Sequence, residues 1–276
     1  MNPLVIDPII KLALAEDIGT GDVTTNATVM PETMASAELV AKEDFLLSGV
    51  AVAQRTFSLL DSAIAFEPLV FDGQSVKRGN VIAWIKGPAI YLLQAERVAL
   101  NFLQRMSGVA TLTAKFVKEV QGTNAVIVDT RKTTPALRVL EKYSVRIGGG
   151  GNHRMALNDG VLIKENHIAA AGGITAAIKR AQQHAPHTLK VEIEVQNQDE
   201  VVEALNAGAD ILLLDNMSLE ELRAAVELIG QRALTEASGG VSLETVRAIA
   251  ETGVDMISVG ALTHSYQAVD ISMLFS

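Results

Sequence analysis

The sequence predicts an α/β protein whose larger part is a barrel-like array of parallel strands and helices. Six apolar, β-branched runs follow one another after residue 124: AVIVD (125–129), GVLIK (160–164), LKVEIEV (189–195), DILLLD (210–215), RALTEAS (232–238) and VDMISVG (254–260). Helical stretches such as TAAIKRAQQH, DEVVEALNA and SLEELRAAVELI separate them, and continuous apolar strands alternating with helices mean a parallel sheet covered by helices. The run-ending residues Lys164, Glu194, Asp215, Ser238 and Gly260 recur at intervals of 30, 21, 23 and 22. That is the rhythm of repeating βα units, whose active groups stand at the carboxyl ends of the strands.

The preceding part has another character. Residues 37–90 alternate in short, turn-rich segments, with Asp72-Gly73 and Arg78-Gly79-Asn80 between β-type stretches, the pattern of a small α+β unit. Within it, residues 50–61 carry apolar side chains at helical spacing. Residues 91–106 predict one helix, with Leu92, Leu93, Val98, Leu100, Phe102 and Leu103 on its apolar side, and residues 111–121 predict a second. The expected division is an amino-terminal domain over 1–108 and a barrel over 109–267, with 268–276 packing back on the first domain.

Composition narrows the function. The 276 residues include 23 Lys and Arg against 32 Asp and Glu, a net charge of −9, and no cysteine. Disulfide frameworks, thiolate metal sites and thiol nucleophiles are excluded. The acidic balance disfavours nucleic-acid or anionic-membrane partners. No apolar run is long enough to span a bilayer and no signal peptide is legible, so the expectation is a cytoplasmic enzyme of small molecules.

The segment 129–167 reverses the charge. It holds seven Lys and Arg against four acids, and a basic island in an acidic chain implies an anionic ligand focused into one cleft. Arg138, Lys142 and Arg146 fall in or near a helical stretch and read as solvated. Arg131, Lys132, Arg154 and Lys164 lie at strand ends or beside the glycine run 148–151, where a planar guanidinium or compact ammonium meets carboxylate or phosphate. Glu194 and Asp215 end successive strands and face one opening. Beside a polyanion they suit a divalent cation or sugar hydroxyls, or an ion pair with Arg131, Lys132 or Lys164. Glu192 shares the face of Glu194, deeper in the barrel, where it needs a partner. Ser238-Gly239-Gly240 and the turn around Gly260 each lie between a strand and a helix, the former's helix starting near Ser242; together they suit a phosphate cup of backbone N–H groups. His184 and His187 read as surface residues and His264 as structural.

These segments resemble the quinolinate phosphoribosyltransferase family almost end to end: EDIGTGDVTT, ERVALNFLQRMSGVAT, DTRKTTPALR, GGGGNHR, LIKENHI, VEIEV, LLLDNM, EASGG and SVGALTHS. The resemblance implies an open (β/α) barrel of six to seven parallel strands with an amino-terminal α+β sandwich domain. It implies transfer of the phosphoribosyl group of phosphoribosyl pyrophosphate to quinolinate with Mg2+, giving nicotinate mononucleotide, pyrophosphate and carbon dioxide. It assigns Arg131, His153, Arg154 and Lys164 to the quinolinate carboxylates and Lys132 to phosphoribosyl pyrophosphate. Glu194 and Asp215 fall to the ribose hydroxyls and magnesium, and Ser238, Gly239, Gly240 and Gly260 to the 5′-phosphate. Arg97 matches an arginine supplied from a neighbouring subunit, so a homodimer or higher homo-oligomer is implied. The departures are small: Ala136 stands where many members have glycine, and the loop after Arg154 reads MALND. The alternatives are a homologous phosphoribosyltransferase with another acceptor, such as a molybdate-operon-associated paralogue, and a non-catalytic sensor of phosphate ligands.

Overall fold

A computed structural model of the chain describes residues 1–275. Two compact units divide the described residues, and neither is continuous: one comprises residues 1–114, 134–148 and 266–275, the other 115–133 and 149–265. Among the described residues no helix is long and apolar enough to cross a membrane.

The first unit begins with helix α1 (Pro3–Ile18), capped by the Asn2 side chain, and the short α2 (Val23–Thr28), capped by Asp22. Then come β1 (Met34–Ala41), β2 (Phe45–Leu46), α3 (Val50–Leu60), β3 (Ala65–Pro68), β4 (Ser75–Val76), β5 (Val81–Pro88) and the long helix α4 (Ala89–Glu119). One antiparallel sheet runs β1–β5–β3, extended beyond β1 by the late strand β12 (Ile271–Phe275), so Ala37 pairs with Phe275. One core joins this sheet to α3 and α4 around Leu39, Phe57, Ile82, Ile85, Leu92 and Leu103. A second core packs Val98, Phe102 and Met106 of α4 against Ile6, Ile10 and Leu14 of α1. Each large side chain so buried stabilises the fold by roughly 1.5–3 kcal/mol before entropic costs.

The two helices expected over 91–121 are one helix of 31 residues. Ser107-Gly108 looks like a break in the sequence but serves close approach: a Cβ on Gly108 would overlap the Gln267 carbonyl oxygen. Packing thus overrides the weak helix propensity of glycine.

The second unit supplies β6 (Val126–Val128), β7 (Val161–Ile163), β8 (Val191–Val195), β9 (Ile211–Asp215), β10 (Leu234–Ser238) and β11 (Met256–Ser258). All six lie within the six expected runs and form one parallel sheet in the order β6–β11–β10–β9–β8–β7. The first strand pairs with the last, as in a barrel, while no pairing joins β6 to β7 among the described residues. The barrel is therefore open at that seam. Helices α6 (Glu165–Ala171), α7 (Ile174–His184), α8 (Gln198–Ala207), α9 (Leu219–Ile229), α10 (Val246–Ala250) and α11 (Ala261–His264) connect the strands. The helix expected near Ser242 begins only at Val246, because Ser242 and Thr245 close a turn on each other first.

Between β6 and β7 lies α5 (Arg138–Ile147), expected in the barrel domain but grouped with the first unit, where Leu140 joins the core of Ile6 and Phe102. Its cations, which the sequence presents as solvated, are not uniformly so. Lys142 is fully buried and Arg138 half-buried; only Arg146 is exposed. Glu141 is buried as well, receiving the Arg105 guanidinium and the Thr134 N–H. The expectation fails at Lys142, which is buried on a helix whose Leu140 packs into the core of Ile6, Phe102 and Met106.

Ala136, just before α5, has φ +65°. A left-handed conformation costs an L side chain roughly 1–2 kcal/mol, part of which returns as reduced freedom of the unfolded chain. Ala136→Gly is expected to leave stability unchanged or raise it by up to about 1 kcal/mol, read from the urea midpoint.

Candidate active site

The seam of the barrel is where the site begins. Asp129 follows β6 and is fully buried. Its Oδ1 accepts the His153 N–H at 2.9 Å and its Oδ2 the Asn152 amide at 2.6 Å. Just before them, Gly151 makes a parallel bridge to Val128 and donates its N–H to the Ile127 carbonyl at 2.7 Å. The end of the glycine run thus lies along the free edge of β6 as a rudiment of a further strand. His153 and Arg154 follow from this edge into the barrel.

They meet the inward faces of β8 and β10. Strand residues alternate in direction, so Glu192 and Glu194 of β8, Leu213 and Asp215 of β9, and Glu236 and Ser238 of β10 all line the interior. His153 Nδ1 accepts the Arg154 N–H at 2.6 Å, which leaves the ring proton on Nε2, 3.1 Å from Glu192 Oε2. Glu236 Oε1 lies 3.9 Å from the same nitrogen. Glu192 has the partner its burial demands. Arg154 donates to the Gly160 carbonyl at 3.0 Å; burial and nearby Arg131 disfavour its charge, and Glu192 favours it.

Above this floor the strands open into a cavity of about 760 Å3. Arg131, Lys132, Arg154 and Lys164 line it together with His153, Glu194, Asp215, Ser238, Gly239, Gly240 and Gly260. Every proposed site residue of the barrel is therefore gathered in one place. Arg97 is not among them: it is exposed on α4 of the first unit. Lys164 Nζ pairs with Glu194 Oε2 at 2.7 Å, one of the ion pairs considered for Glu194. Asp215 instead accepts the Asn216 side-chain amide at 2.8 Å. The Lys132 backbone is anchored where its carbonyl accepts the Thr263 hydroxyl at 2.8 Å.

Gly239 and Gly240 both have positive φ, +101° and +59°, and a Cβ on Gly239 would overlap the Asn216 side chain. At Gly260 an added Cβ would lie 3.1 Å from His264 Nε2 and 3.2 Å from Lys132 Cδ. His264, expected to be structural, is exposed and lines the cavity. It stands one helical turn beyond Gly260, a spacing that sequence reading could have used. Asp129 and Glu236 were also missed as site residues. Each sits in an apolar strand run with an unremarked carboxylate, and such a carboxylate signals a buried partner.

A parallel barrel with four cations, two half-buried carboxylates and a glycine turn at its carboxyl mouth is the site of an enzyme that handles polyanionic small molecules. The chain belongs to the quinolinate phosphoribosyltransferase family: the family's amino-terminal domain matches residues 22–107 and its carboxyl-terminal domain residues 109–274. A Bacillus subtilis (strain 168) protein named probable nicotinate-nucleotide pyrophosphorylase (carboxylating) is 45% identical, covering 99% of this chain and 94% of that protein. The chloroplastic nicotinate-nucleotide pyrophosphorylase (carboxylating) of Arabidopsis thaliana is also 45% identical, over 96% of this chain and 81% of its own. The crystal structure of NadC from Streptococcus pyogenes superposes with a TM-score of 0.96 at 42% identity, covering 100% of this chain and 98% of the other.

Gly239→Ala is expected to destabilise the protein by about 1–3 kcal/mol, from the left-handed conformation and the overlap with Asn216. Asn216 itself has φ +54°, so Asn216→Gly in that background should recover part of the loss. Urea unfolding of the single and double variants measures the coupling.

Proposed function

We propose that the chain transfers the phosphoribosyl group of phosphoribosyl pyrophosphate to quinolinate with decarboxylation, forming nicotinate mononucleotide, carbon dioxide and pyrophosphate. The observation that carries this reading is the meeting of Arg131, Lys132, Arg154 and Lys164 with Glu194 and Asp215 in one cavity. Departure of pyrophosphate from the sugar develops positive charge on the ribose and negative charge on the leaving group. Lys132 and its neighbours stabilise the latter, and the carboxylates favour the cationic sugar. Arg131, Arg154 and Lys164 hold the two carboxylates of quinolinate, with His153 lining the same end. Orienting its ring nitrogen toward the sugar is worth roughly 7–11 kcal/mol at best. The ring nitrogen, cationic once bonded, then stabilises the electron pair left when the adjacent carboxylate departs. The backbone around Ser238, Gly239, Gly240 and Gly260 receives the 5′-phosphate.

Magnesium fits the residues present. Glu194 and Asp215 are half-buried hard oxygen donors at the mouth, each with one oxygen engaged by Lys164 or Asn216; the other oxygen of each would meet a cation or ribose hydroxyls. Mg2+ is commonly held by one or two carboxylates together with substrate phosphates. When bound, it supplies charge neutralisation for the departing pyrophosphate. Arg97, exposed on α4, completes the site of a neighbouring subunit in a homodimer or larger homo-oligomer. The proposed compartment is the cytoplasm.

Product analysis tests the reaction. Incubation with quinolinate, phosphoribosyl pyrophosphate and magnesium should give nicotinate mononucleotide and carbon dioxide in equal amounts, with nicotinate a poor acceptor. Equal use of nicotinate would contradict the double carboxylate clamp, and omission of magnesium should abolish turnover. Arg97→Ala and Lys132→Ala should each be nearly inactive. Mixed, they should recover activity, since one kind of site in the mixed oligomer carries neither change. No recovery despite demonstrated subunit exchange would refute the shared site.

A further inference from the structure

The floor of the cavity holds an acid that the positioning scheme above does not use. Glu236 is 2% exposed and Glu192 5%, and the Oε1 atom of each has no hydrogen-bond partner. With His153 Nε2 they form a cluster whose atoms lie within 4.8 Å of one another. Two buried carboxylates this close do not both ionise readily; one proton, or one cation, is needed between them. Positive charge is already present in Arg154, which acts on Glu192, and in Lys164, which acts on Glu236. A shared proton therefore suits the cluster better than a further cation.

The proton belongs on Glu236. Burial and the charge of Glu192 push this carboxyl up to about 7, against smaller opposing effects of His153, the Ser258 hydroxyl and Lys164. These groups come from β8, the seam loop, β11 and the end of β7, and Arg154 lines both cavities beside them. At neutral pH the acid form is thus well populated, and it is lost as pH rises above 7.

Position gives that acid a task. Glu236, His153 and Arg154 line the main cavity and also a second one of about 460 Å3 behind it. The rear cavity runs to the amino-terminal ends of the strands, past Ile211 and Met256, and reaches exposed Thr188 and Lys190. The Glu236 carboxyl therefore stands in a wall with the substrate cavity on one side and a path toward solvent on the other. Decarboxylation of the quinolinate adduct, on the reading above, breaks the bond between ring carbon and carboxylate. The electron pair stays on the ring carbon, which must then gain a proton.

We propose that Glu236 is the general acid of this step, positioned by His153 and Glu192 and re-protonated through the rear cavity. The Glu236 O–H bond breaks as the C–H bond forms, carbon dioxide leaves, and Glu236 is left as a carboxylate. One solvent proton arriving from behind restores it, so each turnover consumes one proton and leaves the enzyme unchanged. The proposal rests on the quinolinate reading of the site.

The test separates the two halves of the reaction. Single turnovers of the full-length wild type and of Glu236→Gln, with quinolinate, phosphoribosyl pyrophosphate and magnesium, are quenched and assayed for pyrophosphate and nicotinate mononucleotide. In Glu236→Gln, pyrophosphate should appear on the wild-type timescale, while nicotinate mononucleotide lags by about 100-fold or more, the range of general acid catalysis. The wild-type mononucleotide rate should fall as pH rises through 7 while the pyrophosphate rate does not. If the variant makes the mononucleotide as fast as wild type, or if both products slow equally, Glu236 is not the acid. Should Glu236→Gln fail to fold, Glu236→Asp, which keeps a carboxyl one methylene shorter, should show the same selective lag to a smaller degree; its absence overturns the proposal equally. A wild type that makes no mononucleotide from quinolinate overturns the functional reading itself, and the proposal with it.

Discussion

The buried carboxylate of Asp129 organises the candidate site. Six strands leave the barrel open between β6 and β7, and an open seam exposes strand edges that must be satisfied or covered. Asp129 settles both needs by receiving the Asn152 amide and the His153 N–H, which fastens a glycine-flanked loop along the edge. The carboxylate is fully buried, so these charge-assisted bonds compensate its lost hydration. Once the loop is fixed, His153 and Arg154 enter the barrel at a defined height. The cationic end of the cavity thus depends on an anion that never faces it.

Around that anchor the charges are arranged in layers by the alternation of the strands. Glu192 and Glu236 lie in the buried floor, while Glu194 and Asp215 stand half-buried at the mouth beside Lys132 and Lys164. The deeper pair is buried and faces a histidine; the upper pair is engaged by an ammonium and an amide. Fixed charges already in place at a site need little reorganisation during reaction. The acidic remainder of the chain confines the positive potential to this opening.

Much of this was legible in the sequence because the signals are local. Continuous apolar runs located all six parallel strands, and a spacing of two placed Glu192 and Glu194 on one face. The strand-end rule gathered Lys164, Glu194, Asp215 and Ser238 at one mouth. What stayed hidden depends on partners distant in the chain. Gly108 reads as a helix break until Gln267 is found against it. Lys142 reads as solvated, yet it is fully buried on a helix whose Leu140 joins a core. Glu236 reads as one polar residue in RALTEAS, and only the approach of His153 and Glu192 gives it a role.

The interleaving of the two units bears on how the chain is made. The first unit takes its residues from three separated stretches, and β1 is flanked on one side by β12, whose residues are among the last of those described. As the chain emerges from a ribosome, β1 and β5 can pair early, yet one edge of β1 stays uncovered until the barrel segments have been synthesised. An uncovered edge invites pairing with another nascent chain. Contacts so far apart in sequence also slow folding, because long loops must close before the contacts form. Late covering of β1 makes the interval before β12 appears the vulnerable period in this protein's synthesis. Shortening the chain within β12 would extend that period indefinitely.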